Sequence, residues 1–339
     1  MKNVFFVWTN YQARVEGLSN DLKARLGSVD IIYRRNPQTS KFKKIFIYIY
    51  YIFKDFLYLN KKKPDNFFVQ LPPTFALIAP LAYRLFTKRS VNIIADCHNA
   101  LLRKPWVNQI GTKKLIQYTN ICLLHNENIY QQSLEFFSFV SKQKLLILED
   151  KTLEFSFNEA MNNKSRNNSP CIFFPASFNK DEPVIEFIET ANQMKECTFI
   201  TTGNIEKLQK NFGRLPSSLP NNLQVTGWVS KETYLSYMQR ADILLCLTLY
   251  DNIQMSASNE GLSFNKVMVV SDTKTLRGLY GNAAIYTSNK GSSIKIAIQK
   301  AIEEHNNLLN ELKKVKLRKQ KRYCEQLDLL INSIQKSTK

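Results

Sequence analysis

The sequence predicts an α/β protein made of two doubly wound, parallel-sheet halves. Three observations predict it. The chain has 339 residues, too many for one ordinary domain and suited to two of roughly 150 each. Short apolar runs alternate with helix-length segments almost throughout, the pattern of strands covered on both faces and linked by crossover helices. That alternation stops at a polar stretch rich in Asn and Ser, Asn158–Ser169 (NEAMNNKSRNNS), and then restarts. Such composition marks a linker.

In the first half, residues 1–157, the runs Val4–Val7, Asp30–Tyr33, Phe67–Val69, Val91–Ala95, Ile121–Leu124 and Leu145–Leu148 read as strands. Helices fit Gln12–Leu26, Lys41–Leu59, Pro73–Phe86 and Asn126–Phe137 between them. After the linker, 158–169, the second half occupies 170–310. Its strands are Cys171–Phe174, Thr198–Thr202, Leu223–Val225, Ile243–Cys246, Val267–Val270 and Ala284–Tyr286. Its helices fit Asp181–Met194, Lys231–Arg240, Glu260–Phe264 and Ser292–His305. A long basic helix, Glu311–Gln335 within 311–339, closes the chain. Alternating β and α with right-handed crossovers gives a doubly wound sheet in each half, and two such sheets would face a central cleft.

The formal net charge of +19 points to an anionic partner: phosphate-bearing substrates, an acidic membrane face or nucleic acid. No zinc finger, recognition-helix signature or RNA-binding strand motif supports nucleic acid. The six cysteines lie far apart and form no C-x-x-C pair, so free thiols are the expectation. The three histidines, His98, His125 and His305, have no ligand spacing, so no metal cage is expected. Met1–Trp8 turns polar too quickly for a signal peptide and reads as the first strand. Lys44–Leu59 (KIFIYIYYIFKDFLYL) is interrupted by Lys54 and Asp55, short of the roughly 20 apolar residues of a spanning helix. It reads either as a core helix or as an interfacial one, with Lys41, Lys43 and Lys44 before it and Lys61-Lys62-Lys63 after it.

In open α/β sheets ligands sit beyond the carboxyl ends of the strands, so the loops there carry the candidates. Arg14 follows the first strand near a helix start, where it can meet an acidic group or simply be solvated. Pro72 and Pro73 break the third strand and shape one wall of the expected cleft. Asp96, His98 and Asn99 leave the fourth strand together, and a carboxylate, an imidazole and an amide can orient a sugar hydroxyl. In the second half, Leu247–Asn252 leads through Asn259 to Glu260, Gly261, Leu262 and Ser263. A helix opening near Glu260 would offer free amides to phosphate and a carboxylate to ribose hydroxyls, or would merely be capped by Ser258 or Asn259.

A family resemblance runs through the same segments. Arg240-Ala241-Asp242, Leu244–Thr248, Glu260–Ser263, Lys266–Ser271 and Leu276-Arg277 resemble the nucleotide-sugar domain of GT-B glycosyltransferases, and of these the large retaining group called family four. Val225–Val229 and Thr201-Thr202-Gly203 resemble two of that group's strand ends. Phe68–Pro73 and Ala95–Asn99 resemble its V-Q-N-P-P and D-W-H-N runs. The likeness covers Asp65 to Ala301. It implies a GT-B fold, with Glu260 on the nucleotide ribose, Gly261 and Leu262 beside it, Gly227 and Trp228 near the base, and Gly203 in the donor site. His98 and Asp96 would be the catalytic pair, with Arg14, Asn99 and Pro72 on the acceptor side. Two positions depart from the family. Asn252 stands where members carry a first glutamate, and Lys180 is the only base in Pro175–Pro183, where members place a phosphate-binding Arg and Lys.

The resemblance implies transfer from a UDP- or GDP-linked sugar to a saccharide or polyprenyl-linked saccharide, in cell-surface polysaccharide synthesis, with retention and without metal or other cofactor. No Asp-x-Asp triplet in a strand-end loop argues for a metal. A cytoplasmic protein, peripheral on the inner membrane face through its basic segments, is expected. Two other readings stay open: a catalytically weak binding or scaffold protein of the same fold, and a nucleotide-sugar epimerase.

Overall fold

A computed structural model describes residues 1–9, 12–35, 40–138, 140–152, 169–213, 219–251 and 253–337, without the side chains of Ala13 and Lys41. Most of the expected linker, 158–168, and Asn252 lie outside the described residues. The chain divides into two units, Met1–Lys151 with Lys321–Lys339, and Thr152–Gln320.

The first unit runs β1 (Lys2–Val7), α1 (Ala13–Leu26), β2 (Ser28–Tyr33), α2 (Lys41–Lys62), β3 (Asn66–Leu71), α3 (Ile78–Thr87), β4 (Asn92–Cys97), α4 (Thr112–Gln117), β5 (Ile121–Leu124), α5 (Glu127–Phe136) and β6 (Leu145–Ile147). The strands form one sheet in the order β2-β1-β3-β4-β5-β6, and every pair is parallel. Period-two alternation splits the sheet's side chains between two cores. Phe67, Val69, Ile93 and Ala95 pack with residues of α2 to α5. Phe5, Val7, Phe68, Ile94 and Leu123 face the other way, toward α1.

The second unit runs β7 (Cys171–Phe174), α6 (Val184–Gln193), β8 (Thr198–Thr201), α7 (Ile205–Phe212), β9 (Leu223–Val225), α8 (Lys231–Arg240), β10 (Ile243–Cys246), α9 (Ser256–Ser263), β11 (Val267–Ser271), α10 (Lys274–Tyr280), β12 (Ile285–Thr287) and α11 (Gly291–Glu303). Its sheet has the order β12-β11-β10-β7-β8-β9, again parallel. Strand order reverses between β7 and β10, the topological switch point at which dinucleotide-binding sheets open a crevice.

The closing helix, α12 (His305–Ser337), starts before Glu311 and serves both cores. Leu308, Leu312 and Val315 belong to the second unit's cores. Tyr323, Leu327, Leu330, Ile331 and Ile334 join Phe5, Phe68 and Ile94 in the first unit. There Tyr323 donates to Asp21 at 2.7 Å, Arg322 pairs with Glu149 at 2.7 Å, and the Asn92 amide donates to the Ile334 carbonyl at 3.2 Å. With α1 alone on that face, the sheet would leave apolar residues in water. The last turns of the chain cover them.

Candidate functional site

In the second unit the loops after β7 and β10 meet at the switch point, where the Leu249 N–H donates to the Asp181 carbonyl at 2.7 Å. The ends of β10, β11 and β12 are tied by a polar ring. The Thr248 N–H donates to Ser271 Oγ (2.8 Å), Ser271 Oγ donates to Asn289 Oδ1 (2.7 Å), and Asn289 Nδ2 donates to the Thr248 carbonyl (2.8 Å). Sequence reading missed Asn289, whose signal is its place just past a strand.

The helix carrying Glu260 starts earlier than the sequence suggested. Its cap is the extended Met255, which caps through no side chain. Ser258 and Asn259 lie inside the helix, both N–H groups directed at the Met255 carbonyl. They therefore do not cap it, and Glu260 stands past the first turn. The small polar run Ser256–Asn259 resembles loop composition but bonds back on itself, Ser258 Oγ donating to the Met255 carbonyl at 2.7 Å. The first amides of the helix belong to Ser256 and Ala257.

Glu260 Oε2 accepts a short hydrogen bond from the Tyr234 hydroxyl on α8. Burial pushes the Glu260 carboxyl above its usual range, against the Tyr234 hydrogen bond and the more distant Lys231. Gly261 lies where α9 crosses β10 and β11. A Cβ there would stand 2.6 Å from Leu244 Cδ2 and 2.9 Å from Met268 Sδ. Leu262 is buried in the same core. These two neighbours pack, and their packing aims Glu260.

The loop after β7 is organised from within. Glu182 accepts from the N–H groups of Ser177 (3.0 Å) and Asn179 (3.0 Å). Phe178 has a left-handed backbone, φ 55°, and its ring lies where a Cβ on Gly203 would go, so glycine is required there. Lys180 is exposed at the tip of the loop. Gly227 takes φ 69° and turns the chain from β9 toward α8, leaving Trp228 73 % exposed. The loops after β8 and β9 are joined by the Thr226 N–H donating to the Thr201 carbonyl at 2.9 Å. Trp228 and Glu260 thus connect through α8 and Tyr234, a residue the sequence reading did not single out. A cavity of about 720 Å³ at the β12 edge, lined by Arg277, Tyr286, Lys290, Ser293 and Lys300, contains none of these donor candidates.

In the first unit the structure brings Arg14, Pro72, Asp96, His98 and Asn99 to one sheet edge. The His98 N–H donates to the Leu71 carbonyl at 2.9 Å, joining the ends of β3 and β4, so Pro72 and His98 leave adjacent strands. Arg14 is engaged beneath them. Its Nε donates to Asp96 at 3.1 Å, its Nη1 to Asp150 at 2.7 Å, and its Nη2 to Asp96 at 3.1 Å and to the Leu148 carbonyl at 2.8 Å. Burial works against the Asp96 carboxylate, but Arg14 outweighs it and His125 adds to the pull, holding the group well below the usual range. Asp96 is fully buried, and its oxygens face Arg14 and, at 3.5 Å, His125 Nε2. A ligand would feel Asp96 only through these partners.

His98 is half-buried and stacks edge-on with His125, centroids 5.0 Å apart. Burial, with His125 next, pushes its pKa down to about 4, so the ring is neutral near pH 7. Its Nδ1 accepts from the Ala100 N–H at 3.4 Å, which assigns the proton to Nε2. His98 therefore offers a neutral N–H donor at the sheet edge. Asn99 is buried at the start of the turn that follows. His125 and Asp150 were not singled out in the sequence. His125 directly follows β5 as His98 follows β4, and that parallel was the available signal.

No family model matches the sequence, and no curated protein sequence matches it either. Solved structures do match in fold. HepE from Anabaena in complex with UDP-glucose superposes with TM-score 0.72 at 10% identity, covering 99% of this chain and 100% of that one. Sucrose-phosphate synthase from Thermosynechococcus elongatus gives 0.73 at 11% identity, covering 99% and 98%. A glycosyltransferase from Rickettsia africae gives 0.69 at 12% identity, covering 100% and 98%. With two parallel six-stranded sheets flanked by helices, this chain has the two-domain, Rossmann-like GT-B fold.

Proposed function

We propose that the protein is a glycosyltransferase. It moves a hexose from a UDP- or GDP-linked donor to a saccharide or polyprenyl-linked saccharide, with retention, in cell-surface polysaccharide synthesis at the cytoplasmic face of a membrane. The observation that carries the reading is Glu260. This partly buried carboxylate stands just beyond the switch point of a parallel sheet, with one oxygen fixed by Tyr234. The other oxygen can accept from ribose hydroxyls, and a desolvated carboxylate accepts strongly. The Ser256 and Ala257 amides would meet the diphosphate, with Lys180 near it, and helix amides would stabilise the leaving group without a metal. Trp228 and Gly227 would hold the base. His98 would donate Nε2–H to a sugar hydroxyl, with Asp96 positioning through Arg14 and His125, and with Asn99 and Pro72 beside the acceptor.

A thermal-shift panel of UDP-, GDP- and dTDP-sugars selects the donor, and calorimetry then compares Glu260→Ala with the parent. A loss in donor affinity of roughly tenfold or more is expected. Unchanged affinity sinks the assignment.

One observation favours a second reading, a binding protein of the same fold without turnover. In the loop after β7, Glu182 already occupies two backbone N–H groups that an anionic ligand would otherwise use. Donor binding with neither transfer nor hydrolysis would select that reading.

A further inference from the structure

The geometry points to α2 as a membrane-docking helix whose exposed aromatic stripe enters an anionic lipid surface. Phe42, Phe46, Ile49, Tyr50, Phe53 and Leu57 are all exposed, Phe42 by 79%, Phe46 by 70% and Phe53 by 60%. At 3.6 residues per turn they fall within an arc of about 100°. The opposite face packs inward through Tyr48, Tyr51, Ile52, Phe56 and Leu59. The helix is therefore a core helix on one side and an unpartnered apolar one on the other. Lys43, Lys54 and Lys61 all project along one flank of the stripe, within about 20° of one another. On the other flank lie Ile45, 54% exposed, and, about three turns further along, Phe86 of α3, 74% exposed and edge-on to Phe56.

Charge decides the occupant. The helix carries a single carboxylate, Asp55, and it is buried against Arg34 and Trp8. The exposed side thus presents aromatics and cations with no anion, the composition of a helix lying in the headgroup region of an acidic bilayer. A second copy packed antiparallel would set these lysines against their own kind, and one packed parallel would supply no anion to meet them. No helix among the described residues is long and apolar enough to cross a membrane, which leaves a surface-lying mode.

The helix also overhangs its sheet. Trp8, just past β1, packs against Tyr48 and Tyr51, and Tyr51 donates to the Arg35 carbonyl, just past β2, at 2.9 Å. Tyr48–Tyr51 are thus level with the carboxyl edge. Residues 41–47 extend roughly 10 Å beyond it at 1.5 Å per residue. This overhang carries Phe42, Ile45 and Phe46 on the edge where His98 stands. Docking deepens the membrane part of the function proposed above and rests on that reading only for the lipid-linked acceptor.

The test is co-sedimentation of the full chain with vesicles of phosphatidylcholine alone or mixed equally with phosphatidylglycerol, at low and high salt. The chain should bind the acidic vesicles at least about tenfold more tightly than the neutral ones, and salt should weaken that binding. Phe46→Ser with Phe53→Ser should lower binding about tenfold at either salt. Lys43→Gln with Lys54→Gln and Lys61→Gln should lower it roughly tenfold or more on acidic vesicles only, with most of the salt dependence gone. All five side chains are exposed, so both variants should keep the parent's circular dichroism and donor affinity. Absence of binding by the parent overturns the proposal, as does binding by both variants at the parent's strength. A parent dimer in light scattering that the Phe variant dissolves would instead make this face a contact between copies. Loss of donor binding in Glu260→Ala, or its retention, leaves these outcomes untouched.

Discussion

Asp96 and Glu260 both lie near the carboxyl edge of a parallel sheet, Asp96 on β4 and Glu260 on the helix after β10, and their surroundings differ in kind. Asp96 is fully buried, yet strongly acidic because Arg14 is locked against it. Glu260 is less buried, yet raised, because desolvation outweighs the opposing pull of the Tyr234 hydrogen bond and of the more distant Lys231, and no cation is bonded to it as Arg14 is to Asp96. A carboxylate with a cation already bonded to it holds a fold together. One held by a single phenol keeps an oxygen for a ligand. The comparison assigns stability to the first and recognition to the second, although both residue types look alike in a strand-end loop.

The largest expected effect breaks the Asp96 side of that comparison. Asp96→Ala leaves the buried Arg14 cation only Asp150 of its two carboxylates and should lower stability by about 3 kcal/mol, the lower end for a broken buried pair, read from urea unfolding. A loss below about 1 kcal/mol would place Asp96 among the binding residues instead. Next comes the packing that aims Glu260. Gly261→Ala forces a methyl toward Leu244 and Met268 and should destabilise by about 1–3 kcal/mol. Donor affinity should fall with it, because α9 must shift. A melt and a donor titration on the same variant separate this from a simple loss of fold.

The smallest effect is a pair of opposite pH responses. The folded-state pKa of Asp96 is depressed, so its contribution is present above the ordinary aspartate value and is lost as pH falls through and below that value. The folded-state pKa of Glu260 is raised, so the folded state binds the extra proton and stability declines as pH rises from the ordinary glutamate value through the raised one. Urea midpoints across the acid range should show Asp96→Asn losing the first dependence and Glu260→Gln the second. Dependences of the same sign in both would mean the two sites do not differ as described.

Much of the fold was legible because buried parallel strands are apolar runs. Ile121–Leu124, Cys171–Phe174 and Ile243–Cys246 form strands at the residues where the sequence places them. Helices α4, α7 and α10 escaped because each is short and has no long apolar period. Helix α9 was read four residues late because Ser-Ala-Ser-Asn has the composition of a loop. The site was legible only as a set of strand ends. Arg14 and Asp96 are 82 residues apart, and Tyr234 reaches Glu260 from another helix. No local pattern tells that the first pair is closed upon itself, or that a phenol secures the second carboxylate. Nor could periodicity alone decide which face of α2 would find a partner.

Helix α12 ties the order of synthesis to the order of folding. The first sheet is complete in sequence by Ile147, but half of one covering layer comes from residues after Lys321. A chain emerging from the ribosome therefore carries Phe68, Ile94 and Leu123 under partial cover while the whole second unit is made. That unit closes only after the residues beyond Lys321 have been made, so a stop codon between Thr152 and Lys321 would damage a unit whose strands all precede it.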